Sequence, residues 1–218
     1  MYQLFDLSQF SFSDLINIEK PWLSLEKIDG YITSRRKELI EKGFKAVGQA
    51  LIHPNAKFDP AAVITGPAII DSGTEICKNA YLREGVIIGK NCFVGLGIEI
   101  KHSIILDDTR IPHLNYVADS LIGSHVNFGA GTITANWKGG WDNRIVSLTI
   151  DGERVSTEKE KFGALIGDNV YLGCNNVTAP GTIIGRNVLT YPLCLLRGTI
   201  PENSIVKNKP HIEIIERQ

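Results

Sequence analysis

A period of six is the feature that most narrows what this chain can fold into. Ile52, Phe58, Ile64, Ile70, Ile76, Leu82, Ile88, Val94, Ile100 and Leu106 fall at every sixth position. The phase slips by four, resumes at Tyr116, Ile122, Phe128 and Thr134, is lost again, and returns at Ile166, Leu172, Thr178, Ile184, Thr190 and Leu196. Two places before most of these stands a small or β-branched residue, as at Ala62, Ala68, Thr74, Ala80, Val86 and Cys92. Neither a helix nor a plain amphipathic strand sustains such a period. A parallel β-helix does: each hexad supplies a short strand and a turn, the aliphatic side chain points to the axis, and stacked coils share backbone hydrogen bonds. The expected fold is therefore all-β, in coils of about eighteen residues.

Two stretches depart from the repeat. The first, 107–115, contains RIPHLN and is expected to lift a loop carrying His113 off the coil. The second, about 138–163, contains RIVSLTIDGERVST, which reads as two strands joined by the hairpin dipeptide Asp151-Gly152. Upstream of the coil, Leu25, Ile28, Ile32 and Leu39 have helical spacing after Pro21, with a stop near Gly43. Gly30 leaves open whether this is one helix or two. The expected organisation is a helical cap or extension over 1–45, covering an open end of the coil, then the coil over 46–209 and a tail over 210–218.

Composition excludes more than it specifies. Lys and Arg number 23 against 24 Asp and Glu, a formal charge of -1, so no global field favours nucleic acid or an anionic membrane. The first twenty residues lack the basic start of a signal peptide and no apolar run spans a bilayer, which points to a soluble cytoplasmic protein. Cys77, Cys92, Cys174 and Cys194 form no CxxC pair, and Cys92 and Cys194 sit in small-residue slots of the repeat as buried thiols. His102, His113 and His125 are eleven and twelve residues apart, whereas residues stacked on one face of successive coils differ by about eighteen. A zinc site built from three such histidines, as in γ-type carbonic anhydrases, is thereby disfavoured, and no metal is expected.

The run HLNYVADSLIGSHVNFGAGTITANW, His113 to Trp137, closely resembles the acetyltransferase domain of the bifunctional glucosamine-1-phosphate N-acetyltransferase and N-acetylglucosamine-1-phosphate uridylyltransferase. The resemblance covers roughly 60–210. ANWKG and KFGALIGD, on either side of the hairpin, look like the archaeal-type branch of these enzymes. No glycine-rich nucleotide loop opening a βαβ unit lies upstream of the coil, so no uridylyl transfer is expected from this chain. The resemblance implies a left-handed coil, a homotrimer with sites shared between subunits, acetyl-CoA as donor, and glucosamine 1-phosphate as acceptor. A separate uridylyltransferase would then complete UDP-N-acetylglucosamine synthesis for peptidoglycan or lipopolysaccharide.

Carried over by position, the resemblance makes His113 the general base, a role that suits an imidazole titrating near neutral pH. It gives Arg83 and Lys101 to the sugar phosphate, and Tyr116 and Asn127 to the sugar. Arg83 and Lys101 are one coil apart, so they share a face, and a guanidinium beside an ammonium suits a phosphate. Asn136 is placed at the reacting carbonyl, where an amide donor steadies an oxyanion. Ala130, Trp137, Cys174, Pro192 and Lys209 fall at coenzyme A positions, and Arg144 is a further phosphate candidate. Trp137 stands in place of the family tyrosine, Cys174 in place of serine, Tyr191-Pro192 in place of two small residues, and Lys209 in place of arginine. These departures all concern the acyl donor. Other amino sugar acceptors, galactosamine 1-phosphate or a nucleotide-linked sugar, stay open, as does a non-enzymatic assembly module.

Overall fold

The protein, analysed as a computed structural model, is described over residues 3–140, 144–209 and 215. It is a left-handed parallel β-helix whose strands fall on three faces. The first face starts at Ala50–Ile52 and Ala68–Ile70 and ends at Thr182–Ile184 and Thr199–Ile200. The second is an eight-stranded sheet running from Lys57–Phe58 to Ile205–Val206. The third runs from Val63–Thr65 through 81–83, 99–101, Tyr116–Ala118, Ile133–Thr134 and Val177–Thr178 to Leu195–Leu196. Inside lies one continuous core that includes Ile70, Ile76, Leu82, Ile88, Val94 and Ile100, as the period requires.

The stretch 107–115 is not a loop. Arg110–His113 is a strand of the second face, paired in parallel with Phe93–Leu96 and with Asn127–Phe128, and Ile111 continues the inward series. The irregularity lies instead in two five-residue steps, Ile100 to Ile105 and Val117 to Ile122, where the corner between the third and first faces has lost a residue. Because strand side chains alternate, losing one residue reverses their facing. Ile105 and Val117 therefore point inward, while Leu106 joins an outer cluster and Tyr116 faces outward.

A second difference concerns 1–45. Residues 3–45 lie along the first face rather than over an open end. Leu51, Ile69, Ile87, Ile104, Leu121, Leu165 and Ile183 form an outward column on that face, in register from coil to coil. They are buried beneath Leu4, Phe10, Trp22, Leu25, Ile28 and Ile32 of the N-terminal segment and Val146, Leu148 and Phe162 of the excursion. Each such side chain withdrawn from water contributes roughly 1.5–3 kcal/mol. The expected stripe of Leu25, Ile28, Ile32 and Leu39 is buried, and the helix Ile28–Glu41 runs unbroken through Gly30 to a left-handed Gly43. The change of winding falls earlier, where a 3₁₀ segment Pro21–Lys27 meets the helix.

The hairpin has the expected form. Ser147–Ile150 pairs antiparallel with Glu153–Ser156, and Asp151 (φ 51°) and Gly152 (φ 85°) make the tight turn. The excursion closes on itself: Phe162 N–H donates to Asn136 O at 2.8 Å and Gly163 N–H to Asp119 O at 2.8 Å. Most of the 210–218 tail lies outside the described residues.

Candidate functional site

The shortened corner between the third and first faces carries a charged cluster. Glu84, His102 and Asp119 stack there in successive coils, all in the left-handed backbone region (φ 57°, 42° and 46°). That region suits glycine and tolerates asparagine; a glutamate there carries a conformational cost of order 1 kcal/mol. Asp119 is the hub. The Lys101 ammonium, 7 % exposed, donates to both Asp119 oxygens at 3.1 and 3.2 Å and lies 3.1 Å from Glu84 Oε2. His102 Nδ1 is 2.9 Å from Asp119 Oδ1, and the Asn136 amide donates to the other oxygen. Arg83 is held by Glu99, Nε to Oε1 at 2.8 Å, and by Glu84.

Burial alone would raise the Asp119 carboxyl, but hydrogen bonds from His102 and Asn136 and the Lys101 charge outweigh it and hold it below the usual carboxylate range. Burial alone would likewise lower Lys101; Asp119 and Glu84 reverse the sign and hold it above its ordinary value. An ionised Asp119 only accepts, so Nδ1 of His102 carries the proton and Nε2 of a neutral ring is left as an acceptor. Tyr116 lies beside this group, its hydroxyl raised first by burial and then by Glu99.

The sequence-derived residues thus divide. Arg83, Lys101, Tyr116 and Asn136 come together around Asp119 and Glu99. His113, Ala130, Cys174 and Pro192 form a second group, one column in register at the corner between the second and third faces. The coils approach closely there: a Cβ at Gly129 would lie 2.5 Å from Cys174 N, and one at Gly173 2.6 Å from Pro192 N. Within one chain His113 and Lys101 occupy opposite edges of the third face, five residues apart along the coil from 113 to Ala118, the partner of Lys101, a span of at most about 17 Å. Asn127 lies around the corner on the second face, paired with Arg110. Trp137 is exposed on the departing strand of the excursion; Arg144 and Lys209 are exposed outside both groups. Glu84, Glu99 and Asp119 were not singled out from sequence, and His102 entered only as a disfavoured zinc ligand. The available signal was that Glu84, His102 and Asp119 lie about one coil apart, with Lys101 about one coil from Glu84 and from Asp119.

Comparison with known proteins follows the same lines. Residues 64–162 match the family model described as the GMPPB C-terminal domain. A bifunctional sugar-1-phosphate nucleotidylyltransferase/acetyltransferase of Sulfurisphaera tokodaii is 36% identical over 181 residues, covering 81% of this chain and 45% of that protein. The bifunctional protein GlmU of Methanococcus maripaludis is 44% identical over 139 residues, covering 64% of this chain and 33% of that protein. The protein of the same name from Acetivibrio thermocellus is 35% identical over 152 residues, covering 63% and 29%. The chain spans less than half the length of each of these relatives.

Proposed function

We propose that this chain, a homologue of the acetyltransferase part of GlmU-type bifunctional proteins, transfers an acetyl group from acetyl-CoA to the amine of an amino sugar 1-phosphate. Glucosamine 1-phosphate is the acceptor we assign, with N-acetylglucosamine 1-phosphate as product. The observation that carries this reading is the convergence of Arg83, Lys101, Tyr116 and Asn136 on one corner of the coil. A phosphate oxygen entering there meets a guanidinium and an ammonium, and the Asn136 amide is available to a developing oxyanion.

The sugar arrives as an ammonium and must lose a proton before its nitrogen attacks the thioester carbon. That first proton goes to solvent; as the C–N bond forms the base takes a second proton from the same nitrogen, the C–S bond breaks, and the base returns that proton to the departing thiolate. His113 is the base in this reading. Its column with Ala130, Cys174 and Pro192 supports an acyl donor lying along that edge. Its distance from Lys101 within one chain is met by a homotrimer in which one protomer's His113 edge faces a neighbour's Lys101 edge. The exposed apolar side chains at and beside the His113 corner, Leu96, Leu114, Tyr171, Leu189 and Leu193, support that assembly. A specific observation favours a second base, His102, whose ring is oriented by Asp119 within the cluster itself. A separate uridylyltransferase would consume the product, and the setting we assign is the cytoplasm.

A thiol-release assay with acetyl-CoA across glucosamine 1-phosphate, galactosamine 1-phosphate, glucosamine 6-phosphate and free glucosamine tests the reading. Release is expected with the 1-phosphates and lost without the anomeric phosphate; equal rates with free glucosamine would refute it. His113→Ala is expected to lower turnover ~10²-fold with unchanged melting, the scale of a positioned base. If His102→Gln gives that loss and His113→Ala does not, the base is His102.

A further inference from the structure

The hairpin and the final coils enclose an open groove of about 850 Å³, lined by Trp137, Lys138, Arg154, Pro180, Leu195 and Arg197 among others, within the size range of small-molecule sites. Its cations come from three separate elements: Lys138 from the start of the excursion, Arg154 from the second hairpin strand, and Arg197 from the last corner after the third face. Among the described residues no Asp or Glu lines it, and no ion pair engages any of the three. Lys138 donates to Ile145 O at 2.5 Å, and Arg154 reaches Ser147 Oγ at 3.5 Å. Burial first, and then the like charge of Arg154, hold Lys138 below its ordinary pKa. Uncompensated cations gathered in one groove are stable there only modestly and favour an anion that joins them.

Trp137 supplies the second half of a recognition surface. It is 52 % exposed, and its ring lies against Gly139, where an added Cβ would approach it to 3.2 Å. The hairpin wall is fixed to the coil, since the Thr199 hydroxyl donates to Thr149 O. A flat aromatic surface beside forked guanidinium donors matches a base with a phosphate chain.

We propose that this groove is a binding site for a nucleoside diphosphate group, the base against Trp137 and the phosphates between Arg154, Arg197 and Lys138. Two molecules carry that chemistry into an amino sugar acetyltransferase: the nucleotide end of CoA, or a nucleotide-linked sugar. Naming these two sources rests on the acetyl-transfer reading above; the groove's affinity for a nucleotide does not.

The test is a titration of wild type, Trp137→Phe and the double variant R154Q/R197Q with ADP, UDP and inorganic pyrophosphate, followed by calorimetry. ADP or UDP is expected to bind wild type at least ten-fold more tightly than either variant, with affinity falling as salt rises. Pyrophosphate is expected to weaken only in the double variant. In the kinetic arm, a ten-fold rise in KM for acetyl-CoA with no change for acetyl-pantetheine assigns the groove to CoA. Loss of UDP binding with KM for acetyl-CoA unchanged assigns it to a nucleotide-linked sugar. Equal nucleotide affinity in wild type and the double variant, or nucleotide binding indifferent to Trp137, overturns the proposal. Absence of acetyl transfer to any amino sugar would sink the function proposed above and leave the titration free to decide the groove.

Discussion

Two cationic regions border the third face, and they differ in what stands beside the charges. Around Asp119, Arg83 and Lys101 face Glu84, Glu99 and Asp119 and are largely withdrawn from water. Under the hairpin, Lys138, Arg154 and Arg197 line a groove to which, among the described residues, no carboxylate contributes. The resemblance read from sequence makes the first region the phosphate site. The compensated region is a preorganised polar network, and under the function proposed above a phosphate enters it by competing with Glu84 and Glu99. The uncompensated region offers its charge directly. Buried pairs are costly to break, and exposed lone cations are cheap to lose, so the two regions should respond to substitution in opposite ways.

The largest expected effect is Lys101→Met, which leaves Asp119 buried without its ammonium. A loss of about 3 kcal/mol is expected, equivalent to roughly 6–12 °C in melting temperature for a chain of this size. Unchanged melting by calorimetry would dissolve the distinction between the regions. Acid comes next. The folded-state pKa of Asp119 lies below its unfolded value, so its ionised form stabilises the protein above the ordinary carboxylate pKa of about 3.9. That contribution is lost as pH falls through the lowered value. Urea midpoints measured between pH 6 and pH 3 should therefore fall less steeply in Asp119→Asn than in wild type.

Glu84→Gln sharpens the comparison by moving the first region toward the second. With one compensating charge removed from a half-exposed site, KM for a sugar 1-phosphate should fall several-fold, about 1 kcal/mol or less. A rise in KM would mean that Glu84 positions the cations instead of competing with the substrate. Smallest of all, Arg197→Gln should shift stability by no more than about 0.5 kcal/mol while altering ligand binding, which a melting curve and a nucleotide titration on one sample would separate.

The hexad period determined the coil and its inward positions from Ile70 to Ile100, and the Asp151-Gly152 dipeptide determined the hairpin, because side-chain alternation and turn chemistry are local properties. The same locality misled at 107–115, where a repeat with one residue missing looks like a break although Ile111 and Val117 keep their places inside. The column Leu51, Ile69, Ile87 and Ile104 was visible at coil spacing as an apolar row on an outward position. What covers that row, the N-terminal segment joined by the hairpin's Leu148, depends on contacts between residues a hundred positions apart. The candidate site divides in the same way. Motif resemblance picked out Arg83, Lys101, Tyr116 and Asn136 one by one, whereas the bonds of Lys101 and Asn136 to Asp119 were decided by the corner between the third and first faces, which stacks Glu84, His102 and Asp119. Charge type is written in sequence, but whether a charge is paired depends on which side chains the packed coil brings within about 3 Å of it.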